Sequence, residues 1–226
     1  MALSRGPKIV TNGLVLYLDA ANKLSYPGSG TVWKDLSGNS NTGTLTNGPT
    51  FSAGNMGSVV FDGTNQYASL GTFTGFGTSN RTLCCWANST ATAGSRRVVT
   101  FALDDSATDQ PNSGIQLQNN IGAFFWGGTP YNGNITFGYT NGTWAFLVLT
   151  ITSGQVGIGY VNGVSVGTAT STGVVATNPI CYLGRYNTNY GQYFQGSLST
   201  FLVYNRVLSA SEVLQNYNAN KSRYGL

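Results

Sequence analysis

Catalysis, sugar recognition and metal binding each demand particular side chains, and this chain supplies them unevenly. Its 226 residues hold seven acids and no histidine. Glycoside hydrolysis needs two carboxylates roughly 5–10 Å apart, one as acid and the other as nucleophile or base. The single glutamate, Glu212, stands three residues after Ser209, in the spacing of a helix capping box. Asp104, Asp105 and Asp109 fall in DDSATDQPNSG, 104–114, which has the composition of an exposed, solvated loop. Without histidine, no serine or cysteine has a recognisable base. Cys84 and Cys85 are neighbours on an expected strand, so their side chains point to opposite faces. With Cys181 they read as buried free thiols rather than as a strained vicinal disulfide. With no CxxC and no histidine, a zinc site is excluded. The inventory describes a chain that is not an enzyme.

Recognition chemistry is better represented. A sugar needs a flat aromatic face for its C–H side and amide or guanidinium groups for its hydroxyls. The segment GRYNTNYGQY, 184–193, offers Arg185, Tyr186, Asn187, Asn189, Tyr190, Gln192 and Tyr193. Trp126 and Tyr131, at either side of a turn-rich 127–134, form a second candidate. The same residue types suit a contact with a partner subunit equally well.

The elements that must position these groups are strands. Strands are expected over 9–19, 58–61, 66–70, 81–87, 96–103, 115–117, 121–126, 144–151, 155–161, 164–168, 180–183 and 194–204, some by alternation and 144–151 as a strongly apolar central strand. Leu14, Leu16 and Leu18 are expected on one face of the first. In the last, Gln195, Ser197, Ser199 and Phe201 are expected opposite Gly196, Leu198, Thr200, Leu202 and Tyr204. Asn119-Asn120 and Asn162-Gly163 mark hairpins, the latter of type I′. A short helix follows Ser209, with Val213, Leu214 and Tyr217 as its apolar positions. Charged residues make up only 8%, and Gly is 31 residues. With aromatics spread throughout, this describes many turns between strands rather than disorder. The net charge of +4 is scattered, with Arg96-Arg97 the only adjacent basic pair, so no nucleic-acid stripe exists. No run of about 18 apolar residues would cross a membrane, and the N-terminus lacks a signal-peptide core.

Specific motifs go further. LDA at 18–20, WKDLSGN at 33–39, the hairpin at 57–71, RTLCCWA at 81–87, GQVGIGYVNGVSVGT at 154–168 and YNRVLSASEVLQNY at 204–217 occur in an order that resembles concanavalin A-like, LamG-type jelly-roll domains. The chain looks closest to stand-alone LamG-like structural proteins of tailed, marine bacteriophages. The resemblance implies an all-β, concanavalin A-like jelly-roll β-sandwich of two antiparallel sheets with one short C-terminal helix. It covers one domain, 1–226, with a core at about 9–224. It implies a non-enzymatic virion protein, made in the host cytoplasm. Such a protein decorates a capsid or tail, docks on other virion proteins or on copies of itself, and meets host-surface glycan; the alternative is a lectin-like tail-fibre adhesin. The laminarinase-type E-x-D-x-x-E motif of enzymatic relatives is missing. LamG-type domains also hold Ca²⁺, which takes six to eight oxygen ligands. Asp35 with Ser37, Asn39 and Asn41, or Asp62 with Asn65, are the loops that could hold it. Asx-turns account for the same residues without metal.

Overall fold

The computed structural model describes residues 7–73, 79–92, 97–102, 111–127, 133–173, 178–186 and 192–226. Within them lie sixteen strands: β1 (Leu14–Asp19), β2 (Val32–Trp33), β3 (Gly43–Thr46), β4 (Thr50–Ser52), β5 (Ser58–Asp62), β6 (Tyr67–Thr72), β7 (Arg81–Ser89), β8 (Arg97–Ala102), β9 (Pro111–Gln118), β10 (Ile121–Trp126), β11 (Gly133–Gly138), β12 (Ala145–Ile151), β13 (Val156–Val161), β14 (Val164–Thr170), β15 (Ile180–Leu183) and β16 (Gln195–Tyr204). The twelve expected stretches each form a strand, and four unexpected ones, β2, β3, β4 and β11, join them. One helix follows, α1 (Ala210–Asn220), and a 3₁₀ turn, Lys221–Tyr224. The first sheet runs β14-β13-β12-β7-β16-β5-β4, with β1 also paired to β16; the second runs β11-β10-β9-β8-β15-β6-β3-β2. All pairings are antiparallel, as expected for the sandwich. No helix among the described residues is long and apolar enough to cross a membrane.

Two cores result. The main one lies between the sheets and takes Leu16, Leu18, Phe61, Leu83, Cys85, Phe124, Trp126, Leu147 and Phe201, among others. The second lies on the outer face of the first sheet, under α1 and the last turn, and gathers Cys84, Trp86, Phe146, Leu202, Tyr204, Val213 and Tyr224. Cys84 and Cys85 therefore do point to opposite faces, and all three cysteines are free and buried. Burial pushes their thiols up, away from reactive thiolate.

Strict alternation fails at two bulges. In β16 the partner of Leu198 is Ala87 and that of Thr200 is Trp86, so Ser199 is an extra residue. Leu198 faces the main core, whereas Leu202 and Tyr204 face the second, and the expected common face is split. In β1 the partners of Leu14 and Leu16 are Tyr204 and Val203, which turns Leu14 away from Leu16 and Leu18. Two strand limits also differ from expectation. Residues 111–114 open β9 rather than ending a loop, because Ser113 and Gly114 are small enough to pack beneath neighbours. β11 forms within a stretch whose two aromatics and many glycines obscure its alternation of buried Ile135 and Phe137 with exposed Asn134 and Thr136.

The helix begins as expected. Ser209 and Glu212 form a reciprocal capping box. Glu212 also takes both terminal nitrogens of Arg206, at 2.9 and 2.6 Å. Val213 is buried, but Leu214 is exposed, and the other buried helical residue is Asn216. Its Oδ1 accepts from the Val10 N–H and its Nδ2 donates to the Tyr204 hydroxyl, which donates to Val10 O. The Arg206 contacts hold the Glu212 carboxyl down at about 2. A depressed carboxyl stabilises the fold above its ordinary range and loses that contribution as pH falls from about 4.5 towards 2. After solvent screening the contribution is about 1 kcal/mol. Urea unfolding at pH 6 and pH 2.5 should show this loss in the wild type, and Glu212→Gln should remove that share of the pH dependence.

Candidate functional site

The residues that line accessible hollows differ from those marked by the sequence. Tyr186 is 1% exposed and Trp126 0%. The Trp126 indole N–H donates to Gln155 O at 2.9 Å, and its ring lies against the backbones of Gly133 and Gly157. Trp126 is therefore part of the main core and not a stacking platform. Its neighbour Phe125 points to the other side, because β10 carries bulky apolar residues on both faces and amphipathicity gives no direction there. Arg185 is buried as well, its guanidinium stacked over Tyr67 and Tyr182 at 4.4 and 4.3 Å from the ring centres. Gln192 and Tyr193 are half-buried. Asn187, Asn189, Tyr190 and Tyr131 lie outside the described residues, as do Asp104, Asp105 and Asp109.

What the fold assembles is the outer face of the second sheet. Pairing of β9, β10 and β11 aligns Gln118 with Ile121, Gln116 with Ala123 and Thr136, and Phe125 with Asn134. Their inward neighbours Ile115, Leu117, Phe124, Ile135 and Phe137 fill the main core, so the strand period of two sends this second set outward. The outward set encloses a hollow of about 250 Å³. Its floor is apolar, from Ile121, Ala123 and Phe125; its polar groups are Gln116, Gln118, Asn134 and Thr136. Gln116 Nε2 donates to Gln118 Oε1 at 2.7 Å, which fixes the orientation of both amides. Farther along the same face stand Tyr67, Tyr182 and Arg185. The hollow is a neutral, hydrogen-bonding surface around an apolar patch, suited to a polyhydroxylated ligand. Sequence reading missed it because Asn134 sat in a stretch assigned to a loop and Thr136 in no element, while Gln116, on an expected strand, had no partner in view.

The candidate calcium loop serves another purpose. Asp35 Oδ1 accepts from the N–H groups of Tyr17 and Ser37, and Oδ2 from Ser37 Oγ and Asn41 N, at 2.8–3.0 Å. Asn41 Nδ2 donates to Val15 O, and Asn39 Nδ2 to Leu14 O. The loop thus satisfies backbone groups around the β1 bulge. Asp35 is buried with its lone pairs occupied, and Asn39 and Asn41 present N–H donors, which a cation does not accept. In the second loop, Asp62 Oδ1 accepts from Thr64 N, an Asx-turn, while Asn65 uses its backbone oxygen to bind Asn47. No group of three His, Cys, Asp or Glu residues gathers among the described residues. Neither loop fits calcium. Asp35→Ala should lower stability by about 2–3 kcal/mol, through several lost charge-assisted bonds. Calcium or a chelator should leave the wild-type melting temperature unchanged; a calcium-dependent rise would contradict this assignment.

Comparison with known proteins places the geometry in context. A family model described as concanavalin A-like lectin/glucanases superfamily matches residues 62–214. Among curated proteins none matches. Trypanosoma rangeli sialidase in complex with sialic acid superposes with a TM-score of 0.73 at 19% identity, covering 97% of this chain and 36% of the sialidase. The chain thus spans about a third of that enzyme's length. Domain 4 of AbnA, a GH43 extracellular arabinanase from Geobacillus stearothermophilus in complex with arabinotriose, gives 0.68 at 17% identity, covering 90% of this chain and 98% of the domain. The binding domain of Paraclostridial Mosquitocidal Protein 1 gives 0.66 at 17%, covering 92% and 52%. At these identities the likeness is one of fold.

Proposed function

Because the chain belongs to the concanavalin A-like lectin/glucanases superfamily, we propose that it is a non-catalytic carbohydrate-recognition protein whose ligand sits on the outer face of the second sheet. The observation that carries this is the neutral hollow lined by Gln116, Gln118, Asn134 and Thr136 around Ile121, Ala123 and Phe125. The arabinotriose complex of a domain with the same fold supports it by analogy. The absence of catalysis is supported by the work each described carboxylate already does. Asp19 pairs with Arg223, Asp35 caps the β1 bulge, Asp62 closes a turn and Glu212 caps the helix. Carriage on a tailed-phage virion, as a decoration protein on capsid or tail or as an adhesin at a fibre tip, is the part supported by motif resemblance. Proteomics of particles from the source would test it by presence and copy number.

A broad glycan array followed by calorimetry tests the binding face. A neutral oligosaccharide should bind, and Gln116→Ala or Asn134→Ala should each weaken it about tenfold, the effect of one lost hydrogen bond with its partner left unpaired. Both variants should melt as the wild type does. Binding that ignores both substitutions, or an array with no neutral hit, would overturn the reading.

A further inference from the structure

One long run of this chain carries no charge. Residues 110–184 contain no Asp, Glu, Lys or Arg; all eleven basic and seven acidic residues lie outside that run. The run supplies β9, β10 and β11 of the second sheet and β12, β13 and β14 of the first. Both sheets end within this run, in β11 and β14. The opposite ends are β4 and β2, strands of three and two residues. Very short edges are one way a sheet avoids unwanted pairing; lysine, proline and covering loops are others. β14 is not short and carries neither lysine nor proline. It has seven residues, VSVGTAT, with Val164 68% and Val166 36% exposed. It pairs β13 on one side and no strand among the described residues on the other. Ile135 of β11 packs beneath its Gly167 from the other sheet without joining the ladder. Leu214, 45% exposed, approaches Gly163 at the turn before β14 and extends the apolar surface onto α1.

We propose that β14 is a pairing edge for β14 of a second copy of this chain, in a two-fold dimer that joins the two first sheets into one continuous antiparallel sheet. Two strands related by a two-fold axis perpendicular to the sheet run antiparallel, and residue i of one copy faces residue j of the other while j faces i. A charged residue on such an edge is present twice, once in each copy, and the two like charges are brought close together across a short strand pair. VSVGTAT has none. Each copy carries a net charge of +4, so two copies meet with less repulsion through an edge strand that adds no charge of its own. Val164, Val166 and Leu214 supply the apolar contact beside the backbone bonds. The pairing leaves the hollow on the second sheet's outer face open, and the dimer would display two of them.

Sedimentation equilibrium of the full chain tests this, with Val164→Lys and Val166→Lys as variants. The wild type should reach twice the monomer mass, and salt should strengthen its association by screening the like-charged halves. Each lysine should weaken association at least about tenfold, without lowering the melting temperature measured at monomeric dilution. Amide exchange in β14 should be slow in the associated wild type and fast in the variants. A wild type that stays monomeric throughout, or a dimer that both lysines leave intact, would overturn the proposal.

Discussion

Gly157→Ala is expected to destabilise the protein by about 2–3 kcal/mol, a large effect for one methyl group. The side chain added there would lie 2.5 Å from Trp126 Cζ2 and 2.7 Å from Cη2. Gly157 belongs to β13 in the first sheet and Trp126 to β10 in the second, so the clash falls in the middle of the sandwich. The ring cannot retreat. Its other side rests on the Gly133 backbone, and its N–H is anchored to Gln155 O. A fully buried tryptophan is thus seated between two glycines of different sheets. Trp126→Ala alone should cost about 3–5 kcal/mol through the cavity it leaves. In the double variant the new methyl group enters that cavity, so the two losses should fall short of their sum by about 1–3 kcal/mol. Strict additivity in urea unfolding would show that ring and glycine are not in contact. Phe124 and Gly159 repeat the arrangement two residues along, with 2.5 Å from the added carbon to Cδ2.

This pairing explains what the sequence made legible and what it hid. GQVGIGYVNGVSVGT announced a hairpin, and the Asn162-Gly163 turn has both φ values positive, as type I′ requires. Gly157 and Gly159 read as ordinary positions of that strand, yet they are inward positions emptied to admit aromatics from the facing sheet. Nothing local distinguishes these two roles, because the demand comes from the opposite sheet. The bulges at Val15 and Ser199 hid the faces of β1 and β16 for a similar reason. One inserted residue inverts the alternation beyond it, and no residue type is reserved for that place. Asp35, Asn39 and Asn41 have the composition of a metal loop, and only their hydrogen-bond directions show that they bind the backbone of β1. The binding face was obscured because β10 is apolar on both sides. By contrast, the capping box at Ser209 and Glu212 is a local device, and it was readable as such.

Arg223→Met should be the most damaging single change outside the main core, at about 3–5 kcal/mol. The Arg223 guanidinium meets both oxygens of Asp19, at 3.0 and 3.2 Å, and each side chain is 10% exposed. It also donates to Ser199 Oγ at 3.0 Å and to Asn220 Oδ1 at 3.3 Å. Ser199 is the extra residue of the β16 bulge, and Asp19 ends β1. One side chain from the last turn therefore fastens both bulged strands together. Removing it leaves the Asp19 carboxylate buried with only the Ala21 N–H and the Tyr17 hydroxyl as donors. Asp19→Asn combined with Arg223→Met should recover part of the loss, since the uncompensated charge goes with it. The change should also be visible locally. Tyr224, the next residue, stacks on Trp86 with ring centres 4.1 Å apart and planes at 18°. Loosening the turn should expose Trp86 and shift its fluorescence to longer wavelength before global unfolding. Glycan affinity, measured below the lowered melting temperature, should not change. The lock lies on the outer face of the first sheet and the hollow on the outer face of the second, with the whole main core between them. A variant that lost affinity while still folded would show that the two outer faces communicate through the core, or that the ligand sits beneath α1.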